Sequence, residues 1–92
     1  MMIQIIDLMT NRVVKLEVSP GNTLEEVKDA AVKALKLPTD YSYSLIFGSK
    51  EYGRSHYDKT LAELGIRDND TLQLIGRPIG GTDASTPSLA SA

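Results

Sequence analysis

Hydrophobic and polar positions recur along this chain with two different periods, and the period assigns the elements. The opening stretch Met1-Met2-Ile3-Gln4-Ile5-Ile6-Asp7-Leu8 is rich in isoleucine and reads as a strand. Met9-Thr10-Asn11-Arg12 supplies turn residues, and the segment from Val13 to Val18 then alternates as a half-buried strand does. That alternation sets Val14, Leu16 and Val18 toward a core and Lys15 and Glu17 toward solvent. Two strands this close in sequence form an antiparallel hairpin. With Met1, Ile3 and Ile5 inward, Gln4 is left in solvent and the hairpin loop lengthens slightly.

The period then becomes helical. Ser19-Pro20-Gly21-Asn22 breaks the strand, and Thr23-Leu24-Glu25-Glu26 opens a helix as a capping box, with two carboxylates suited to the positive end of the helix dipole. Leu24, Val27, Ala31 and Leu35 recur on one face, with Ala30 and Ala34 expected to widen the apolar stripe. Lys33 and Lys36 fall in the last turn, and Pro38 forbids much continuation. Tyr41 to Phe47 reads as a third strand ended by Gly48-Ser49, and residues 48–59 as a polar loop with room for a very short strand. Thr60 to Gly65 predicts one helical turn stopped by its glycine. Ile66 to Asp70 is a polar turn, and Thr71 to Ile75 is the last strand, with Leu72 and Leu74 inward. One helix packed across a mixed four- to five-stranded sheet is the architecture this order predicts, so the fold class is α+β.

Composition narrows the chemistry. Ninety-two residues make one small domain, and a formal charge of −2 provides no basic field for nucleic acid or an anionic membrane. No apolar run approaches the roughly 20 residues of a membrane-spanning helix, and the first residues lack the pattern of a signal peptide, so a cytoplasmic location is expected. The chain has no cysteine and a single histidine, His56. That leaves no thiolate nucleophile, no cysteine-bearing zinc site and no metal site built on two imidazoles. Nor is there a Walker loop. The expectation is a non-enzyme without metal or cofactor: a binding module, a carrier, or a substrate of other enzymes.

From Thr82 to Ala92 the composition shifts to small polar residues with one charge and one large apolar side chain, which cannot bury enough to offset ordering entropy. The chain is therefore expected to divide into a domain over 1–81 and a disordered extension over 82–92, with Arg77-Pro78-Ile79-Gly80-Gly81 between the last strand and the extension. Two glycines without a Cβ give the chain extended and positive-φ freedom there, as suits the start of a flexible linker. On the sheet, Leu45 inward puts Ile46 outside, and Leu72 and Leu74 inward put Ile75 outside. If these strands are neighbours, the two isoleucines share an exposed patch with Leu8 or Met9 from the hairpin. Contiguous exposed apolar surface marks partner sites, although β-branched residues suit strands in any case. Tyr41, Tyr43, Tyr52 and Tyr57 are expected to pack locally, and His56 to be a loop residue.

Leu16-Glu17-Val18-Ser19-Pro20, Thr23-Leu24-Glu25-Glu26-Val27-Lys28, Leu37-Pro38, Asp40, Leu45-Ile46-Phe47, Thr60-Leu61, Ile66, Thr71-Leu72-Gln73-Leu74 and Arg77 with Gly80-Gly81 stand in that order. In this the chain resembles the ubiquitin family of β-grasp protein modifiers from Met1 to Gly81, with extra residues near Tyr41–Ser44 and in the loop 52–59. The resemblance implies a modifier precursor. A processing metalloprotease or deubiquitinase-like peptidase would cut between Gly81 and Thr82. An adenylating activating enzyme would then activate Gly81, and a conjugating enzyme would carry it as a thioester to lysines of target proteins. It further implies Arg77 and Gly80 as the recognised tail, Ile46 and Ile75 as partner anchors, Lys28 and Lys50 as candidate chain acceptors, and a monomer. Three positions depart from the family pattern: Gln73 replaces a histidine, and Pro78 and Ile79 replace a leucine and an arginine. The first bears on partner selectivity at the sheet face, and the loss of the tail arginine implies a dedicated conjugation set. Two rival readings share the fold: a sulfur carrier whose terminal glycine becomes a thiocarboxylate, and a non-conjugated domain that binds through its sheet.

Overall fold

In the computed structural model, which describes residues 1–78, the alternation of the first segment becomes β1 (Met2–Asp7), with Ile3, Ile5 and Asp7 buried. A turn over residues 8–11, with Asn11 at φ 60°, leads into β2 (Arg12–Glu17). β1 and β2 pair antiparallel with Ile5 opposite Val14 and Ile3 opposite Leu16, the register expected from the hydrophobic pattern. Val14 and Leu16 are half-buried against the core, and Val18 is buried.

The helix α1 (Leu24–Leu35) begins at a complete capping box. Thr23 Oγ1 accepts the Glu26 N–H at 3.3 Å, and Glu26 Oε1 accepts the Thr23 N–H at 2.9 Å. The next orphan amides are met from the loop: Leu24 N–H donates to the Lys59 carbonyl and Glu25 N–H to the Tyr57 carbonyl. At the other end Lys36 adopts the left-handed conformation at φ 55°. Its N–H donates to Lys33 O, and Leu37 N–H donates to Val32 O. That is the Schellman pattern without glycine. Arg12 Nη2 adds a bond to Leu35 O at 2.8 Å, tying the hairpin to the helix end. Leu24, Val27, Ala31 and Leu35 face inward as expected. Ala30 and Ala34 do not widen the stripe: both are exposed, and the residues that add to it are Val32 on the opposite flank and Leu37 just past the helix end. Longer side chains reach the sheet from the margin of the stripe where a methyl group does not.

β3 (Tyr41–Phe47) and the three-residue β4 (Lys50–Tyr52) form the second hairpin, with Gly48 in the turn at φ 65°. β5 (Thr71–Pro78) pairs parallel with β1 and antiparallel with β3. The sheet is five-stranded in the order β2-β1-β5-β3-β4, with α1 packed across one face against β2 and β3. β5 extends past Ile75, the end expected from its pattern, because β3 still offers it pairing partners: Tyr43 to Gly76, Ser42 to Arg77 and Tyr41 to Pro78. Proline is tolerated as the last strand residue because no ladder bond is asked of its missing N–H.

The single turn expected over Thr60–Gly65 is present, and a second short turn accompanies it. Residues 61–65 make one hydrogen-bonded turn but no regular helix, while a 3₁₀ turn occupies Arg54–His56. Thr60 and Glu63 cap each other as Thr23 and Glu26 do, yet Gly65 at φ 76° reverses the chain after one turn. Leu61 and Ile66, buried on either side, anchor that turn in the core.

The buried carboxylate of Asp7 has no announcement in the pattern of the sequence. It follows Ile3 and Ile5 in parity and is fully enclosed, where Oδ1 accepts the Met9 N–H at 3.0 Å and Oδ2 accepts the Thr10 hydroxyl at 2.5 Å. A buried carboxylate is tolerated when its lone pairs are satisfied, and these two donors fix the hairpin turn.

Candidate functional site

The face of the sheet opposite α1 carries the candidate surface. Side chains whose residues are paired across strands line up in rows, and one row crosses all five strands. Val13 pairs with Ile6, Ile6 with Gln73, Gln73 with Ile46, and Ile46 with Glu51. Along β5 the next outward position is Ile75, opposite Ser44. Leu8 N–H donates to Leu74 O at 3.0 Å, which carries Leu8 one step past the Asp7–Leu74 pair and level with Ile75.

Five apolar residues, Val13, Ile6, Ile46, Ile75 and Leu8, thus surround the half-buried amide of Gln73. Val13 is 53% exposed and Leu8 39%, while Ile6, Ile46 and Ile75 are partly covered by their neighbours. The two isoleucines singled out from the sequence do share this face. Ile6 and Val13 extend the patch toward the hairpin edge. The signal that could have found them was present, since both have the parity of the solvent face while carrying β-branched side chains. Met9 goes elsewhere: its Cε lies 3.1 Å from where a Cβ on Gly76 would stand, beside the Tyr43 ring, on the helix-facing side of β5. It is 41% exposed there, but it borders the core rather than Ile46.

At one end of this face β5 meets an ion pair. Arg77 Nη1 lies 2.9 Å from Glu51 Oε2, and Nη2 lies 3.4 Å from Oε1, a forked approach of guanidinium to carboxylate. Arg77 and a second bond from Ser44 hold the Glu51 carboxyl below its ordinary value, while Glu51 raises the Arg77 guanidinium. Because Glu51 stands opposite Ile46, this pair is continuous with the apolar row.

The tyrosines pack locally, and Tyr43 does so in the core. Its ring stacks on Tyr41 with centroids 6.1 Å apart, and its hydroxyl donates to Pro38 O at 2.5 Å. Burial raises its phenol, with the Asp7 charge adding to the effect. Tyr57 donates its hydroxyl to the Tyr43 carbonyl, and burial raises that phenol too. His56 sits edge-on to Tyr52 at 5.3 Å, with Nδ1 3.0 Å from Ser55 Oγ.

Of the two candidate acceptor lysines, Lys28 is engaged. Its Nζ lies 2.6 Å from Asp29 Oδ1 and 5.2 Å from the Tyr57 ring centre, and the side chain is 19% exposed. Lys50 is exposed at the start of β4. Gly80, Gly81 and Thr82 lie outside the described residues. Among the described residues no three His, Cys, Asp or Glu side chains converge as a metal site, and no helix is long and apolar enough to cross a membrane.

What this arrangement offers is recognition: an apolar platform around one amide, bordered by a charged strand end. A family model described as the ubiquitin family matches residues 3–79. No curated protein matches the chain.

Proposed function

The chain belongs to the ubiquitin family, and from that premise we propose that it is a protein modifier made as a precursor, with Gly81 as its active terminus. The observation that carries the reading is the ordering of parts at the end of the domain. β5 pairs through Pro78, and the sequence reaches Gly80-Gly81 after a single intervening residue, with Thr82–Ala92 following. Hydrolysis of the Gly81–Thr82 peptide bond frees a glycyl carboxylate and removes the extension. Reaction with a nucleoside triphosphate gives the acyl-adenylate and pyrophosphate, an enzyme cysteine displaces the nucleotide as a thioester, and a target lysine amine displaces the thiol to leave an isopeptide bond. The chain supplies the acyl group only. It has no cysteine of its own, so each nucleophile belongs to a partner.

In this reading the activating, conjugating and processing enzymes meet Arg77 and the glycines, and the face around Ile46 and Ile75 holds partners by its apolar area. Lys50 is the more accessible candidate acceptor and Lys28 the less accessible one. The test is recovery of the chain from its source cells with an antibody, followed by intact-mass and peptide mass analysis. The expected result is a species ending at Gly81 together with lysine peptides carrying its terminal residues, both lost on Gly80→Ala with Gly81→Ala. Recovery of only the full chain, with no adducts, refutes the proposal. A sulfur-for-oxygen mass increase at Gly81 would assign the terminus to sulfur transfer instead.

A further inference from the structure

We infer that Glu51 is a positioning residue for the C-terminal arm: it clamps Arg77 and so keeps the end of β5 on the sheet until a partner exchanges that carboxylate for its own. The inference rests on the proposed use of Gly81 only for its purpose, not for its geometry.

Three features converge on residues 76–78. The ladder between β3 and β5 persists to Tyr41–Pro78, and Pro78 offers no N–H to hold it. Gly76 rests directly on the Tyr43 ring, where even a methyl group would collide, so side-chain packing adds little grip there. The guanidinium of Arg77 reaches back from the Ser42 level to Glu51 on β4, spanning β3 and fastening both strands to the sheet edge. With residues 76–78 paired, Ile79 to Gly81 can extend at most roughly 10 Å from the sheet, three residues at about 3.5 Å each. Release of Arg77 lengthens the free arm to the Gly76 position, so an enzyme that encloses the diglycine in a channel gains reach when the clamp opens.

The partner chemistry follows. A guanidinium freed from a forked carboxylate contact is best satisfied by another carboxylate of the same geometry, so an enzyme that takes this arm presents an Asp or Glu near its channel mouth. The clamp itself is weak. Arg77 is 57% exposed and Glu51 42%, and water screens pairs of that kind. Its removal is therefore expected to raise the peeled fraction about two- to fivefold.

The experiment measures backbone amide exchange by NMR in the full chain, comparing wild type with Glu51→Gln and with the charge swap Glu51→Arg plus Arg77→Glu. Glu51→Gln should accelerate exchange about two- to fivefold at the Ser42 and Arg77 amides, which face each other across the ladder, leaving the β1–β2 amides unchanged. The swap should restore protection. The ratio of exchange rates between Glu51→Gln and wild type should collapse toward one as pH falls through the Glu51 titration, which loss of mere packing would not produce. Unchanged exchange in Glu51→Gln, or a ratio insensitive to acid, overturns the clamp. A normal clamp in a chain that forms no Gly81 species would instead refute only the modifier reading.

Discussion

Replacing Gly76 with alanine probes the packing from which the C-terminal strand departs. The added Cβ would stand 2.7 Å from Tyr43 Cε1, 2.9 Å from Cδ1 and 3.1 Å from Met9 Cε. Met9 is exposed and can give way, but the Tyr43 ring is held. It is 4% exposed, stacked on Tyr41 and tethered through its hydroxyl to Pro38. Overpacking against a fixed ring costs about 1–3 kcal/mol. Against this stands a gain of about 0.5–1 kcal/mol, because alanine has less backbone freedom to lose than glycine and Gly76 has no positive φ. The net is a destabilisation of about 0–2.5 kcal/mol, centred near 1 kcal/mol, or a fall in Tm of several degrees for a domain of this size. Urea unfolding followed by circular dichroism should show a lower midpoint with an unchanged slope. In a Tyr43→Ala background the clash disappears and only the gain remains, so Gly76→Ala should there become stabilising. If the substitution stabilises the wild-type chain, or costs the same in both backgrounds, the steric argument is wrong.

Thr23→Ala removes one half of the capping box and should cost about 1 kcal/mol in thermal or urea unfolding, with Thr23→Ser nearly neutral. Stability should fall on acidification: Glu26, Glu51 and Glu63 are each held below the ordinary 4.5 by hydrogen bonds made in the fold. The unfolded chain therefore takes up protons first, and the contribution is full above about 4.5 and lost as pH drops through the depressed values. At the alkaline end Tyr43 and Tyr57 are raised above 10, so they contribute fully below 10 and the contribution is lost as pH rises through their folded values. Both limbs are read by urea midpoints as a function of pH. Ile46→Asp, on a half-buried outward position, should leave the circular dichroism spectrum intact and abolish recovery of non-covalently bound partners; partners recovered at wild-type yield would show that the face is not used.

Much of this architecture was legible because each amphipathic element has one dominant face. The 3.6 period and capping box of α1, and the alternation through Ile3, Ile5, Leu72 and Leu74, leave little freedom in register. What was not legible depends on contacts distant in sequence. The continuation of β5 to Pro78 follows from the length of its neighbour β3, and nothing local in Gly76-Arg77-Pro78 announces a strand. Ala30 and Ala34 match the helical period, but whether a methyl reaches the sheet is settled by the path of the helix over it. Asp7 reads as a polar strand end, and its burial is tolerable only because Met9 and Thr10 donate to it after the turn closes. In the candidate site, parity alone located Ile46 and Ile75. Met9 escaped parity because it lies in the turn, where alternation no longer specifies a side.

The pairing pattern also links two functions that the sequence presents separately. Glu51 is at once the register partner of Ile46 and the ion-pair partner of Arg77, so the apolar face and the arm share a residue. A partner that covers Ile46 excludes water from the adjoining carboxylate. At lower local dielectric an intact pair with Arg77 strengthens, and the strand end is held more firmly to the sheet. An enzyme that instead offers Arg77 a carboxylate leaves Glu51 unpaired beside Ile46, where an apolar partner would have to bury a lone charge at considerable cost. Occupancy of the face and capture of the arm therefore oppose each other, and by linkage the opposition is reciprocal. A binder of the Ile46 face should slow amide exchange at Ser42 and Arg77 in the wild type and lose that effect in Glu51→Gln. Equal slowing in both would show that the face and the arm are coupled through the strand backbone and not through Glu51.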